Sequence, residues 1–197
     1  GFIYCQGRLG TGKINELLYH QMICLIKMKK TINTQTYHSL CGDLLLGSFE
    51  GKLCLCDWMA EEHRLLADRR LERSLNAEMK DIPSEITAKA AQELDEYFAG
   101  GRKTFDLPLL FVGTEFQEKV WNTLLEVPYG ETRSYGWMAE MIGNPKAVRA
   151  VGTANGSNSI SIFAPCHRII GSNGSLTGYG GGLPAKKFLL ELEGVKL

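Results

Sequence analysis

Between Thr114 and Lys146 the chain is cut into short helices by residues that leave little choice of fold. Thr114-Glu115-Phe116-Gln117 is a capping-box sequence, in which the Thr and Gln side chains satisfy each other's exposed backbone amides. Phe116, Val120, Trp121 and Leu124 then form one apolar stripe, so the helix buries one face. Pro128-Tyr129-Gly130 breaks it. Ser134 can cap a second helix, Tyr135 to Met141, and Gly143-Asn144-Pro145 turns into a third that begins at Lys146. Two short helices joined by a glycine-containing turn are a helix-turn-helix candidate, although such pairs also occur in proteins that never meet DNA.

The first half follows a different pattern. Leu44-Leu45-Leu46-Gly47 and Leu53-Cys54-Leu55-Cys56 flank the turn signal Glu50-Gly51-Lys52, which predicts a β-hairpin within Thr36 to Trp58. Residues 85–99 place Ile86, Ala90, Leu94, Tyr97 and Phe98 at three- and four-residue spacings, a helix with one buried face that Gly100-Gly101 stops. Pro108 lies in an extended stretch, 105–112, linking to the second half. The expected fold class is α+β: an N-terminal α/β domain with a small sheet over 28–110, then a mainly helical domain over 111–197. Residues 1–27 read as an extension ahead of Met28-Lys29-Lys30, with Ile3-Tyr4-Cys5 a candidate strand. In it, Gly7 to Lys13 matches most of a phosphate-binding loop, but Ile14 replaces the Ser or Thr that would hold magnesium. A nucleotide-binding or interaction module built on this segment is therefore disfavoured.

The 197 residues carry 22 basic and 22 acidic side chains, so the net charge is zero. That excludes a protein holding nucleic acid mainly by electrostatics and leaves room for a small local footprint. No run reaches the roughly 18 apolar residues of a membrane span, and the expected location is cytoplasmic. The six cysteines form no repeating framework and read as free thiols. Cys54 and Cys56 would face opposite sides of a strand, and no second ligand pair completes a tetrahedral set, so no metal is expected.

Reactive chemistry concentrates in Ala164-Pro165-Cys166-His167-Arg168. Neighbouring His and Arg favour the thiolate of Cys166. Adjacent residues on a strand point apart, however, so His167 needs a turn or a bridging water to act as base toward it. Taken alone, a Cys-His dipeptide is more often a buried thiol beside a surface imidazole. Of the other histidines, His20, His38 and His63, none lies in a setting resembling a catalytic-base motif. Ile160-Ser161-Ile162-Phe163 is an apolar run leading into this turn, and Thr177-Gly178-Tyr179-Gly180-Gly181-Gly182-Leu183 follows it. Three consecutive glycines suit a loop whose backbone must admit a bulky planar group; a flexible surface loop is the alternative. Pro184 to Leu192 reads as a helix burying Phe188, Leu189 and Leu192, with Glu193 at its end.

Residues from about Gly113 to Gly194 resemble the C-terminal domain of the 6-O-methylguanine-DNA methyltransferases, or methylated-DNA–protein-cysteine methyltransferases. The resemblance rests on Phe116 to Trp121, Pro128 to Thr132, Ser134-Tyr135, Gly143 to Gly152, Pro165-Cys166-His167-Arg168 and Tyr179 to Leu183. Residues 36–110 are similar to the family's N-terminal domain by pattern, which implies a ribonuclease-H-like fold there. A non-catalytic damage binder of the alkyltransferase-like kind lacks the cysteine that Cys166 supplies.

The resemblance implies a single-use acceptor. Cys166 would displace the base from the alkyl carbon of 6-O-methylguanine, with 4-O-methylthymine a further candidate, in duplex DNA and without a cofactor. His167 is similar to the histidine that activates the thiol through water, and Glu193 to the carboxylate orienting that imidazole; alone, Glu193 reads as a solvated charge. Tyr135 resembles the phenol that protonates the leaving base, its plainer reading being a core tyrosine. Tyr179 and Gly180 resemble the wall of the base pocket. Arg149 is similar to the arginine that fills the stack vacated by a flipped base. Ala147, Ala150 and Gly152 would let that helix approach a minor groove, or serve helix packing alone. Asn158 is similar to an asparagine bracing the turn before the active-site strand. Ser159 and Ser161 stand where relatives carry proline, which predicts a less rigid turn. From Gly113 to Leu197 there are eight basic and seven acidic residues, a net charge of +1, so the footprint on DNA is modest. The protein is expected to act as a monomer.

Overall fold

A computed structural model describes residues 29–59 and 62–197. The phosphate-loop match, the candidate strand at Ile3, and Cys5 and Cys24 lie outside the described residues. The chain divides into residues 1–30 and 31–197, and the site described below lies wholly in the second unit.

Strands β1 (Lys30–Ser39), β2 (Gly42–Phe49), β3 (Lys52–Trp58) and β4 (Ala77–Lys80) form one sheet in the order β3-β2-β1-β4, with β2 antiparallel to both β1 and β3. The expected hairpin is β2–β3. Phe49 pairs with Lys52, leaving Glu50 (φ 46°) and Gly51 (φ 77°) as a two-residue turn with both φ positive, the twist that two-residue hairpins favour. Three elements had no clear sequence signal. β1 is polar along most of its length, burying Ile32, Thr34 and Tyr37. Helix α1 (Glu62–Leu75) is dominated by charge, and β4 spans four residues.

Helix α2 (Glu85–Phe98) begins at a Ser84–Thr87 capping box and lays Ala90, Leu94 and Tyr97 on β2 and β3. Ile86 and Phe98 are partly buried against the same core. That core does not stop at the sheet. Leu44, Leu46, Leu53 and Trp58 share it with Ile160, Ile162, Phe163 and Leu189 from the second half. Each such side chain contributes about 1.5–3 kcal/mol on burial, so the halves are stabilised jointly. The stretch around Pro108 does more than link. Leu53 N donates to Pro108 O at 2.9 Å, and Leu110 N to Leu53 O at 2.8 Å, along the edge of β3.

The second half holds α3 (Glu115–Leu124), β5 (Arg133–Ser134), α4 (Tyr135–Met141), α5 (Val148–Gly156), β6 (Ile169–Ile170) and α6 (Gly182–Leu192). Both caps read from sequence are present. Thr114 and Gln117 exchange bonds of 2.9 and 3.2 Å, and Ser134 Oγ accepts from Trp137 N at 3.0 Å. The third helix enters through a 3-10 turn at Pro145–Ala147, so its α-helical part starts at Val148 rather than Lys146. α3, α4 and α5 close around Val120, Trp121, Leu124, Met138 and Val151.

Residues 160–163 are not a strand. Ile160 makes a single parallel bridge to Cys56, after which the chain turns. The run is buried on all sides, so its apolar residues carry no alternation and no ladder. Among the described residues, no helix is long and apolar enough to cross a membrane.

Candidate functional site

The geometric obstacle at Cys166-His167 is removed by a 3-10 turn over Cys166–Arg168. Asn158 holds the chain that feeds this turn: its Nδ2 donates to Ala164 O at 2.9 Å and its Oδ1 accepts from Ile160 N at 3.0 Å. Ser159 and Ser161 lie in the same stretch. Both are buried, and Cys56 pins their backbone, donating to Ser159 O at 2.8 Å and accepting from Ser161 N at 2.7 Å. Between them and Cys166, Ile162 sits at φ 72°. A β-branched residue there costs on the order of 1–3 kcal/mol, which the surrounding burial and bonds must offset.

Glu193 is 6% exposed, not a solvated charge. Its Oε1 accepts from His167 Nε2 at 2.8 Å, Tyr97 OH at 2.8 Å and Arg168 Nη2 at 3.0 Å. Its Oε2 accepts from Arg168 Nε at 2.9 Å and Gly130 N at 3.1 Å. Burial opposes the charge, but hydrogen bonds and the positive charge beside it hold the carboxyl well below the usual range. His167 is fully buried, and burial, with Arg168 and Lys186 nearby, keeps its pKa below the ordinary value despite Glu193. The ring is therefore neutral, and Arg168 balances the carboxylate. Because a carboxylate only accepts, Nε2 carries the proton; Nδ1 is a buried lone pair that no side chain or backbone group among the described residues bonds.

Cys166 is itself buried. Burial pushes its thiol up, while hydrogen bonding from Asn158 and the charge of Lys186 pull the other way. A tight crevice too narrow to hold a ligand as it stands lies over it, lined by Asn155, Asn158, Ser161, Cys166, Tyr179 and Gly180. Tyr179 meets His167 edge-on at 6.4 Å and Trp58 at 5.9 Å. The glycine loop is packed rather than loose: a Cβ at Gly181 would stand 2.5 Å from the Trp58 indole, and Gly182 has φ 79°. Across this loop, Thr177 Oγ1 donates to Tyr135 OH at 3.4 Å.

The other residues singled out from sequence lie on α5 or, for Ala147, in the 3-10 turn that enters it. Arg149 and Ala150 are exposed, Ala147 is half-buried, and Gly152 faces the Tyr135 ring. Val151, Ala154 and Asn155 form its buried face. The structure thus brings Cys166, His167, Glu193, Asn158, Tyr179 and Gly180 into one cluster with Tyr135 at its edge, and leaves Arg149 on the surface outside it.

Three participants were not found from sequence: Trp58, Tyr97 and Lys186. Tyr97 had a signal, its place on the buried stripe of α2, but a stripe does not distinguish core from site. Arg168 was read as favouring the Cys166 thiolate, and its side chain pairs with Glu193 instead.

Comparison with known proteins matches residues 32–111 to the ribonuclease-like domain, and 115–195 to the DNA-binding domain, of 6-O-methylguanine DNA methyltransferase. The chain is 60% identical over 110 residues to a methylated-DNA–protein-cysteine methyltransferase of Methanosarcina acetivorans, covering 56% of this chain and 70% of that one. It is 56% identical over 119 residues to the constitutive enzyme of Bacillus subtilis, covering 60% and 71%. Among solved structures, Mycobacterium tuberculosis OGT in complex with DNA superposes with a TM-score of 0.69 at 42% identity, over 83% of this chain and 92% of that one. With both halves matched, the chain belongs to the methylated-DNA–protein-cysteine methyltransferase family.

Proposed function

We propose that Cys166 takes the methyl group of 6-O-methylguanine from duplex DNA and keeps it. The observation that carries this reading is the buried thiol beside a neutral imidazole whose Nδ1 has no other partner. Nδ1 takes the thiol proton through one water, and Glu193 fixes the tautomer and steadies the imidazolium that forms. The sulfur attacks the methyl carbon in line. An S–C bond forms, the C–O bond breaks, and guanine leaves with the electron pair. Tyr135 donates to a ring nitrogen as that charge develops. The net proton movement is from thiol to guanine. The thioether has no leaving route, so each chain acts once.

The lesion reaches this pocket by flipping, at a cost of a few kcal/mol. Arg149 is exposed on α5 and takes the vacated place in the stack, with Ala147 and Ala150 allowing close approach. Tyr179 and the Gly180 backbone wall the base, and Asn158 keeps the acceptor turn in shape. Cys166→Ser is expected to bind duplex DNA carrying 6-O-methylguanine and leave the base methylated. Demethylation by that variant would assign the nucleophile elsewhere.

A further inference from the structure

Lys186 is fully buried, yet among the described residues no carboxylate pairs with it. Its Nζ donates to Ile169 O at 2.6 Å and to Thr177 O at 2.8 Å. Burial draws its pKa down to about 8. Stability alone does not account for such a residue, because an apolar side chain of the same length would avoid the desolvation cost.

The two carbonyls it joins tell what it does. Ile169 follows directly on the Cys166–Arg168 turn, and Thr177 opens the loop that carries Gly178, Tyr179 and Gly180 over the thiol. One ammonium therefore ties the pocket wall to the acceptor turn. The tie continues outward. The Thr177 hydroxyl donates to the Tyr135 oxygen at 3.4 Å, and Lys186 Nζ lies 6.0 Å from the centre of the Tyr135 ring. With Thr177 occupying the phenol oxygen as an acceptor, the phenol's own proton is left for a ligand.

We propose that Lys186 is a positioning residue for alkyl transfer, clamping the glycine loop to the acceptor turn and, through Thr177, presenting the Tyr135 proton to the leaving base. This rests on the role given to Tyr135 above. Lys186 touches neither thiol nor substrate, so its effect is exerted through Tyr135 and the loop.

The test uses the full chain with Lys186→Met, Thr177→Val and Tyr135→Phe, singly and with each of the first two combined with the third. Four quantities are read: methyl transfer from 6-O-methylguanine duplex, alkylation of Cys166 by iodoacetamide, DNA affinity and Tm. Lys186→Met is expected to slow transfer about 30-fold and Thr177→Val about 5-fold, with DNA affinity within about 3-fold of wild type. Iodoacetamide needs no proton donor; read at a pH high enough to ionise the thiol, so that the lost Lys186 charge does not count, its rate holds or rises as the loop loosens. On the Tyr135→Phe background, Lys186→Met costs less than about 3-fold more. Losses that multiply in the double variant, or an iodoacetamide rate falling in step with transfer, overturn the proposal. If Lys186→Met does not fold, Thr177→Val decides, and unchanged transfer overturns it. Wild-type transfer rates in Tyr135→Phe alone would instead remove the role of Tyr135.

Discussion

The Tyr97 hydroxyl donates to Glu193 Oε1 at 2.8 Å, joining residues 96 apart in sequence and linking helix α2 to the acceptor site. The same oxygen receives His167 Nε2. Glu193→Gln leaves Arg168 buried without its counter-charge, so a loss of about 3–5 kcal/mol is expected in urea unfolding. Methyl transfer falls about 100-fold as the imidazole loses its orienting partner. Tyr97→Phe removes one donor of several and costs about 1–2 kcal/mol, with transfer reduced only a few-fold. A Glu193→Gln variant as stable as wild type would show that the network holds nothing together.

Acid should destabilise the protein in two steps. His167 has its folded pKa lowered below 6.5, so the unfolded chain binds its proton first and stability declines as pH falls below that value. Glu193 is depressed below 4.5; its contribution is complete above that pH and disappears as pH drops toward its folded value. Urea midpoints followed from pH 7 to 3 test this. The gap between wild type and Glu193→Gln should narrow below pH 4.5, and a gap that widens there contradicts the assignment.

The resting thiol is protonated. Burial raises Cys166 above its ordinary 9.0, so alkylation by iodoacetamide without DNA should be slow at neutral pH and still climbing above pH 9. A plateau reached below about pH 8 would mean a preformed thiolate, and the proton transfer to His167 would be unnecessary.

Gly181→Ala places a methyl group against the Trp58 indole and shifts the loop that walls the cleft. Transfer is expected to fall at least about 10-fold, while affinity for undamaged duplex, which we assign to α5, stays unchanged. Equal loss of both would place the loop in the DNA-binding surface.

What the sequence showed depended on how far apart the partners are. The caps at Thr114 and Ser134 and the Glu50-Gly51 turn are decided by residues within three or four positions, and all were legible. The acceptor motif was legible because its residues are contiguous. Glu193 was named by resemblance, but its burial is created by Tyr97 and Arg168, which no local pattern displays. Spacing assigned the buried face of α6 to Phe188, Leu189 and Leu192, whereas Ala185, Lys186, Leu189 and Leu190 form it, and a lysine reads as solvent-facing until the carbonyls of Ile169 and Thr177 are in place. β1 was missed because only Ile32, Thr34 and Tyr37 are buried along its ten residues, and a run so largely polar shows no apolar alternation.

The most direct test of the central claim is the intact mass of the protein after incubation with duplex DNA containing one 6-O-methylguanine, followed by peptide mapping. The expected result is a gain of about 14 Da, once per chain, on the peptide carrying Cys166. No gain by folded protein, or a gain on any other residue, would contradict it.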